Sequence, residues 1–290
     1  MLQTSIIIPV YKKLDLFRDS LLNNLKYFGD SGILIINDDP NSRLPSDLKI
    51  DIPIPANIRF IQNEKNLGFA KSVNKAVSYT SSDLIMLLNT DVFLQDDKWI
   101  KALEVFEKNP KLFAISFAQD DGTGHVSGRN QIYFRNGLFH HSGLEIDSNH
   151  ETYNMNLKST KNNIANRVDL QTSNFKLQTT CWAEGGSSIF RKSLWDKLGG
   201  FDEAYSPFYW EDVDLSFSAK KNGYEVYFAK DIRVLHKHES TIGSYYDKEK
   251  INKIAYEHQI YFTRKHADTF QKFQFYKYLI KQKIKKIINQ

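Results

Sequence analysis

The chain has 290 residues, 41% apolar and 13% aromatic, enough to bury one large core or two modest ones and too apolar for a disordered chain. Its net charge of +5 lies at one end: after Asp268 there is no acid, and removing Lys272, Lys277, Lys281, Lys283, Lys285 and Lys286 leaves −1, which argues against a broad nucleic-acid surface. The single Cys181 excludes an intramolecular disulfide, MLQTSIIIPVY shows no secretory leader and no apolar run nears a membrane span, so the expectation is a cytoplasmic, soluble protein, at most peripheral to a membrane.

Four apolar runs open the chain: SIIIPVY (5–11), ILIIND (33–38), IRFIQ (58–62) and LIMLLNTD (84–91). The first, second and fourth are continuous rather than alternating, as in parallel strands covered on both faces. Between them lie helical spacings, Leu14, Phe17, Leu21 and Leu25, then Phe69, Val73, Ala76 and Val77. Strands alternating with helices predict an α/β fold on a Rossmann-like, mainly parallel central sheet, with ligands at the carboxyl ends of its strands. The second run ends in Asn37, Asp38 and Asp39, and the fourth in Asn89, Thr90 and Asp91. One acid after a strand is ordinarily a turn former or a helix cap; two in one sheet favour a site.

Residues 119–178 are rich in Asn, Ser, Thr and Gly and read as loops and short strands, with His140 and His141 as loop residues. Regularity returns at AEGGSSIFRKSLWDKLGGFDE (183–203), a glycine pair, a short strand and a helix closing at Gly199 and Gly200. In FYWEDVDLSF (208–217) the acids Glu211, Asp212 and Asp214 stand at a predicted helix start, where the macrodipole favours them. A strand pair near VYFA (226–229) and IRVLH (232–236) follows, then two helical segments. One compact domain over 1–245 with a helical tail over 246–290 is the simplest organisation. In the tail Ile280, Ile284, Ile287 and Ile288 share a helical face among lysines. Residues 272–290 are therefore a candidate for contact with an anionic membrane, packing on the domain or on a second subunit being the alternative.

The motif LLNTDV ends a strand in x-x-Asp, which can hold a divalent cation that neutralises a ligand's phosphates. NLGFAKSVN (66–74) puts Gly68 at a helix start, where backbone amides favour anions. Asp38 or Asp39 could accept hydrogen bonds from a base or ribose. His236, ending a strand, could be a second metal ligand, although a lone histidine is more often a satisfied core residue. Gly185 and Gly186 suit the close approach of a sugar.

In order, SIIIPVYKK, IINDDPNS, NLGFAKSVN, LLNTDV, GGSSIFRKSLWDKLGGFDE, YWEDVDLSF and VLHKHEST resemble the family-two glycosyltransferases over roughly residues 4–242, the later pieces most like the rhamnosyltransferase branch. The resemblance implies a GT-A fold, with a nucleotide-binding half over 1–115 and an acceptor half over 116–245. It implies inverting transfer from a nucleotide-sugar donor, dTDP-rhamnose or a UDP-hexose, to a growing surface polysaccharide or lipid-linked oligosaccharide. Around the donor it places Pro9, Val10, Tyr11, Asp38, Asp39, Asn66, Gly68, Lys71, Asn89, Thr90, Gly185 and Gly186. It places Asp91 and His236 on Mn²⁺ or Mg²⁺, and Tyr209 and Trp210 beside the acceptor; Asn89 stands where the family's D-x-D motif begins. Asp212 is the implied catalytic base. Glu211, about 100° away around the helix, is a supporting group, and Asp214 is structural. Two other readings use a related sheet. A nucleotidyltransferase should carry a glycine-rich loop after the first strand, where PVYKKLDLF has none. A non-catalytic binding protein has no use for Asp91, Asp212 and His236 together.

Overall fold

The computed structural model describes residues 2–50, 53–144, 170–171, 176–237, 243 and 245–288. The four opening runs form β1 (Thr4–Val10), β2 (Gly32–Asn37), β3 (Ile58–Gln62) and β4 (Leu84–Leu88), with helices α1 (Leu14–Asn24) and α2 (Phe69–Ser78) between them. β1 pairs in parallel with β2 and β4, and β2 with β3. Alternate side chains leave a strand on opposite faces. Ile6, Ile8 and Val10 therefore join Phe17 and Leu21 of α1 on one side, while Ile7, Leu34 and Ile36 join Val73, Ala76 and Val77 of α2 on the other. With both faces covered, every position must be apolar, which is why these runs do not alternate.

The sheet continues through β5 (Val92–Leu94), β6 (Leu112–Asp120), β7 (Val126–Ser127), β10 (Leu170–Gln171), β11 (Lys176–Thr179), β12 (Ser187–Arg191) and β13 (Glu225–His236). Its order is β10-β11-β13-β6-β12-β4-β1-β2-β3, with β5 on β13 and β7 on β6. β12 runs antiparallel between β4 and β6, and β6 and β13 are parallel again. Helices α3 (Leu103–Lys108), α4 (Lys192–Leu198), α5 (Glu211–Lys221), α6 (Lys248–His266) and α7 (Thr269–Ile288) complete the molecule, and β8 (Asn130–Arg135) with β9 (Leu138–Gly143) makes a separate hairpin.

Two local expectations change. The strand pair at 226–236 is one strand, β13: Ala229 pairs with Phe117 and Arg233 with the next residue, Ala118, so the intervening residues are taken up as an irregularity rather than a turn. His140 and His141 lie in β9, not in a loop. Of the polar stretch 119–178, residues 145–169 and 172–175 lie outside the described residues, as do 238–241 of VLHKHEST. The segment 246–290 divides in two. Phe262 of α6 is fully buried in an aromatic cluster with Phe139, Trp182 and Trp210, whereas α7 is exposed along much of its length. Among the described residues no helix is long and apolar enough to cross a membrane.

Candidate active site

The site forms where β4, β12 and α5 meet. Asp212 stands in the first turn of α5; its Oδ2 accepts the Gly185 amide at 2.9 Å and its Oδ1 the Val213 amide at 2.8 Å. The next peptide, at Gly186, accepts the Asn89 amide through its carbonyl oxygen at 2.8 Å. A Cβ on Gly186 would overlap the Asn89 side-chain amide. That close approach is the physical demand for glycine here, and it brings the end of β4 within one residue of the peptide that holds Asp212.

Two residues beyond Asn89, the buried Asp91 places Oδ1 3.3 Å from His236 Nε2 at the end of β13. The other ring nitrogen, Nδ1, lies 2.7 Å from Gln119 Oε1, and Gln119 donates its amide to Ser187 Oγ at 2.7 Å. With the amide oxygen turned to His236, Nδ1 carries the ring proton and Nε2 is the nitrogen that faces Asp91. A carboxylate oxygen and an imidazole nitrogen whose tautomer is set from behind suit a divalent cation. Among the described residues no group of three His, Cys, Asp or Glu side chains is placed to hold a metal ion, so the protein offers this pair rather than a closed cage.

Among the described residues no cation forms an ion pair with the carboxyls around Asp212. Burial raises the pKa of Asp212, against the pull of the Gly185 and Val213 amides. Burial, then the Asp212 charge, holds Glu211 well above the usual carboxylate range, and its buried Oε2 has no hydrogen-bond partner among the described residues. Glu184, which sequence reasoning missed, accepts Asn130 Nδ2 at 2.7 Å; burial and then the Asp212 charge push it up to about 7. The only sequence signal for it was its place directly before the glycine pair.

The turn into α5 is strained. Tyr209 and Trp210 adopt left-handed φ of 72° and 78°, a conformation costing of order 1–3 kcal/mol per residue. His258 of α6 secures it, with Nδ1 3.1 Å from the Phe208 carbonyl oxygen and 3.2 Å from that of Tyr209. Tyr209 is 41% exposed, whereas Trp210 is buried against Phe262 and His141. Of the two residues given to the acceptor, only Tyr209 presents its ring to solvent.

The residues given to the donor base sit differently. Asp38 is buried; its Oδ1 accepts the Leu67 amide at 2.8 Å and Asn63 Nδ2 at 2.9 Å, and its Oδ2 accepts the Gly68 amide at 2.9 Å. The anion at the start of α2 is thus the protein's own carboxylate. Asn66 Oδ1 also accepts the Gly68 amide, at 2.9 Å, and Asp39 Oδ1 accepts the Asn41 amide at 3.0 Å. Lys71 faces Glu203 at 3.9 Å on the surface. Val10 accepts the Asp38 amide at 2.7 Å through its carbonyl oxygen, so Pro9, Val10 and Tyr11 end β1 beside β2, and Thr90 accepts Ser20 Oγ at 2.7 Å through its own. Tyr11 lies 6.1 Å from the Tyr245 ring.

The sequence model of glycosyl transferase family 2 matches residues 5–173, and that of glycosyl transferase family group 2 matches residues 136–278. A poly-β-1,6-N-acetyl-D-glucosamine synthase of Staphylococcus epidermidis is 27% identical over 113 residues, 39% of this chain and 27% of that protein; the match thus spans little more than a quarter of that relative. Among solved structures, GalNAc-T7 with UDP, GalNAc and Mn²⁺ superposes with a TM-score of 0.56 at 14% identity, over 81% of this chain and 44% of that one. Residues 1–349 of S. aureus TarS in complex with UDP-GlcNAc superpose with a TM-score of 0.54 at 14% identity, over 96% and 72%. At such identities the likeness is one of fold.

Proposed function

The chain belongs to glycosyl transferase family 2 and has the GT-A fold, and from that premise we propose that it transfers a sugar, with inversion, from a nucleotide-diphosphate donor to a hydroxyl of a surface polysaccharide or lipid-linked glycan. The observation that carries this reading is the short path Asp212–Gly185–Gly186–Asn89, which links the raised carboxyl of Asp212 to the strand end that carries the Asp91–His236 pair.

Inverting transfer is a single displacement, so the acceptor hydroxyl must lose its proton as its oxygen attacks the anomeric carbon. Asp212 takes that proton on this reading. Its raised pKa makes it a stronger base than a solvated carboxylate, and the Gly185 and Val213 amides fix its orientation. Burial favours the protonated form of Glu211, which limits competing charge beside Asp212. Asp91 and His236 would hold Mn²⁺ or Mg²⁺, which when bound neutralises charge on the departing diphosphate, the donor's phosphates supplying further ligands. Tyr209 offers an exposed ring on which an acceptor sugar can stack.

The UDP of the GalNAc-T7 structure and the UDP-GlcNAc of the TarS structure are in keeping with a nucleotide-diphosphate sugar as donor. Lone Cys181 fits a reducing, cytoplasmic setting. The test is a screen of UDP-GlcNAc, UDP-glucose, UDP-galactose and dTDP-rhamnose for nucleoside diphosphate release, with and without Mn²⁺. Metal-dependent turnover of one donor, lost in Asp212→Asn while the nucleotide still binds, is the expected result. Turnover unchanged in the variant would remove Asp212 from the role.

A further inference from the structure

Helix α7 has two faces. On the inner one Phe275 is fully buried and Gln271 nearly so, and the Tyr278 hydroxyl lies 2.8 Å from that of Tyr256 on α6. The same face grips the β8–β9 hairpin at Gly137, where φ is +86° and a Cβ would come within 2.7 Å of Tyr278 Cβ and 2.9 Å of the Gln274 carbonyl oxygen. On the outer face Phe270, Phe273, Tyr276, Ile280, Ile284 and Ile287 are each more than half exposed. At about 100° per residue these six fall within an arc of about 120°, centred opposite Phe275. Lys272 and Lys283 border one edge of that arc, Lys281 borders the other with Lys277 just inside it, and no acid lies between Thr269 and Ile288.

We propose that α7 docks the protein in the plane of an anionic lipid bilayer, its outer stripe entering the boundary between headgroups and acyl chains while its lysines contact acidic headgroups. A stripe of about 25 Å, at about 1.5 Å per residue, bordered by like charges on both edges, is the pattern of an interfacial helix. A second copy fits poorly, because pairing two such stripes brings rows of lysine together. The alternative of burial against the domain is answered by the inner face, which the domain already occupies. The hairpin that α7 grips also carries Asn130, which holds Glu184, and His141, which lies against Trp210. Docking element and acceptor side are therefore braced by the same two strands. The docking stands independently of the transferase reading; only its link to a lipid-borne acceptor rests on that reading.

The experiment is flotation of the full chain with vesicles of phosphatidylcholine alone or with about a third phosphatidylglycerol. Binding to the anionic vesicles only, weakened by salt, is expected. It should fall at least tenfold in the triple variant Ile280→Glu, Ile284→Glu, Ile287→Glu, and also in a variant with Lys272, Lys277, Lys281 and Lys283 changed to Gln, which keeps the apolar stripe. Equal flotation of wild type and the triple variant, no binding of wild type to either vesicle, or a stripe-dependent dimer by light scattering without vesicle binding would each overturn the proposal. Melting temperatures of the variants confirm folding. Diphosphate release in solution is expected to be unchanged in both, so the transferase reading can fail or survive separately.

Discussion

Helix α5 presents carboxylates to two seams that treat them in opposite ways. Toward α6, Asp214 meets Lys265 Nζ at 2.8 Å, His266 Nε2 at 2.6 Å and the Tyr205 hydroxyl at 3.0 Å. Toward β12, Asp212 meets backbone amides, and among the described residues neither it, Glu211 nor Glu184 has a cation within ion-pair distance. A buried carboxylate matched by cations holds elements together; one buried without them has its proton affinity raised by that burial, against the pull of its amides. Residues two apart in sequence thus divide into a fastening and a proposed base, and the division lies in what faces them.

The widest test of that contrast exchanges the two acids. Asp212→Asn is expected to lower turnover by about 10²–10⁴-fold, the usual worth of a general base, with little change in melting temperature. Asp214→Ala strands His266 and leaves Lys265 only its Asp202 partner, and is expected to cost about 3 kcal/mol of stability in denaturant titration, with turnover per folded molecule within about tenfold of wild type. A reversed pattern would mean that cation pairing does not separate the roles.

The next largest effect bears on the corner that joins Asp212 to Asp91. Gly186→Ala puts a methyl group into the Asn89 side chain, so the end of β4 or the Gly185 peptide must move. A shift near 1 Å costs roughly 10²-fold in a positioned reaction. Steady-state turnover should fall accordingly, while Gly199→Ala, whose Cβ meets nothing within 4 Å, pays only the backbone cost of its left-handed φ and should keep its rate. Equal losses in both would assign the effect to strain rather than to the Asn89 contact.

How much of this was written in the sequence follows from how local each feature is. The apolar runs announce β1, β2 and β4 because both faces of each strand are covered, and the acids at Glu211 mark a helix start because the macrodipole acts within a turn. Asp38 was readable as a strand-end acid, but not the destination of its oxygens, since the amides of Leu67 and Gly68 lie 29 and 30 residues on. The fastening of Asp214 depends on Lys265 and His266, 51 and 52 residues away. Glu184 escaped notice for the same reason: its neighbour Gly185 reaches Asp212 across 27 residues, and no short motif encodes that meeting. The break read between VYFA and IRVLH failed for the opposite cause, because Lys230–Asp231 falls in an irregularity of the ladder to β6, which resumes at Arg233.

The smallest expected effect concerns Glu184, and it sharpens the contrast because it is read in stability rather than rate. Its carboxyl lies near 7 in the folded chain against 4.5 for the ordinary group. Between those values the folded state keeps a proton that the unfolded state has lost, so stability falls as pH rises through that window. The contribution is fully present below the lower value and gone above the upper one. Glu184→Gln cannot lose the proton and keeps an oxygen for the Asn130 amide, so its stability profile across pH 4.5–7 should be flatter than that of wild type, with the variant relatively more stable at neutral pH. Because Glu184 still holds its proton where Asp212 ionises, the limb on which turnover rises with pH should stay in place in the variant. Parallel stability curves would mean that Glu184 is solvated enough to ionise freely, and the seam toward β12 would then owe its character to Asp212 and Glu211 alone.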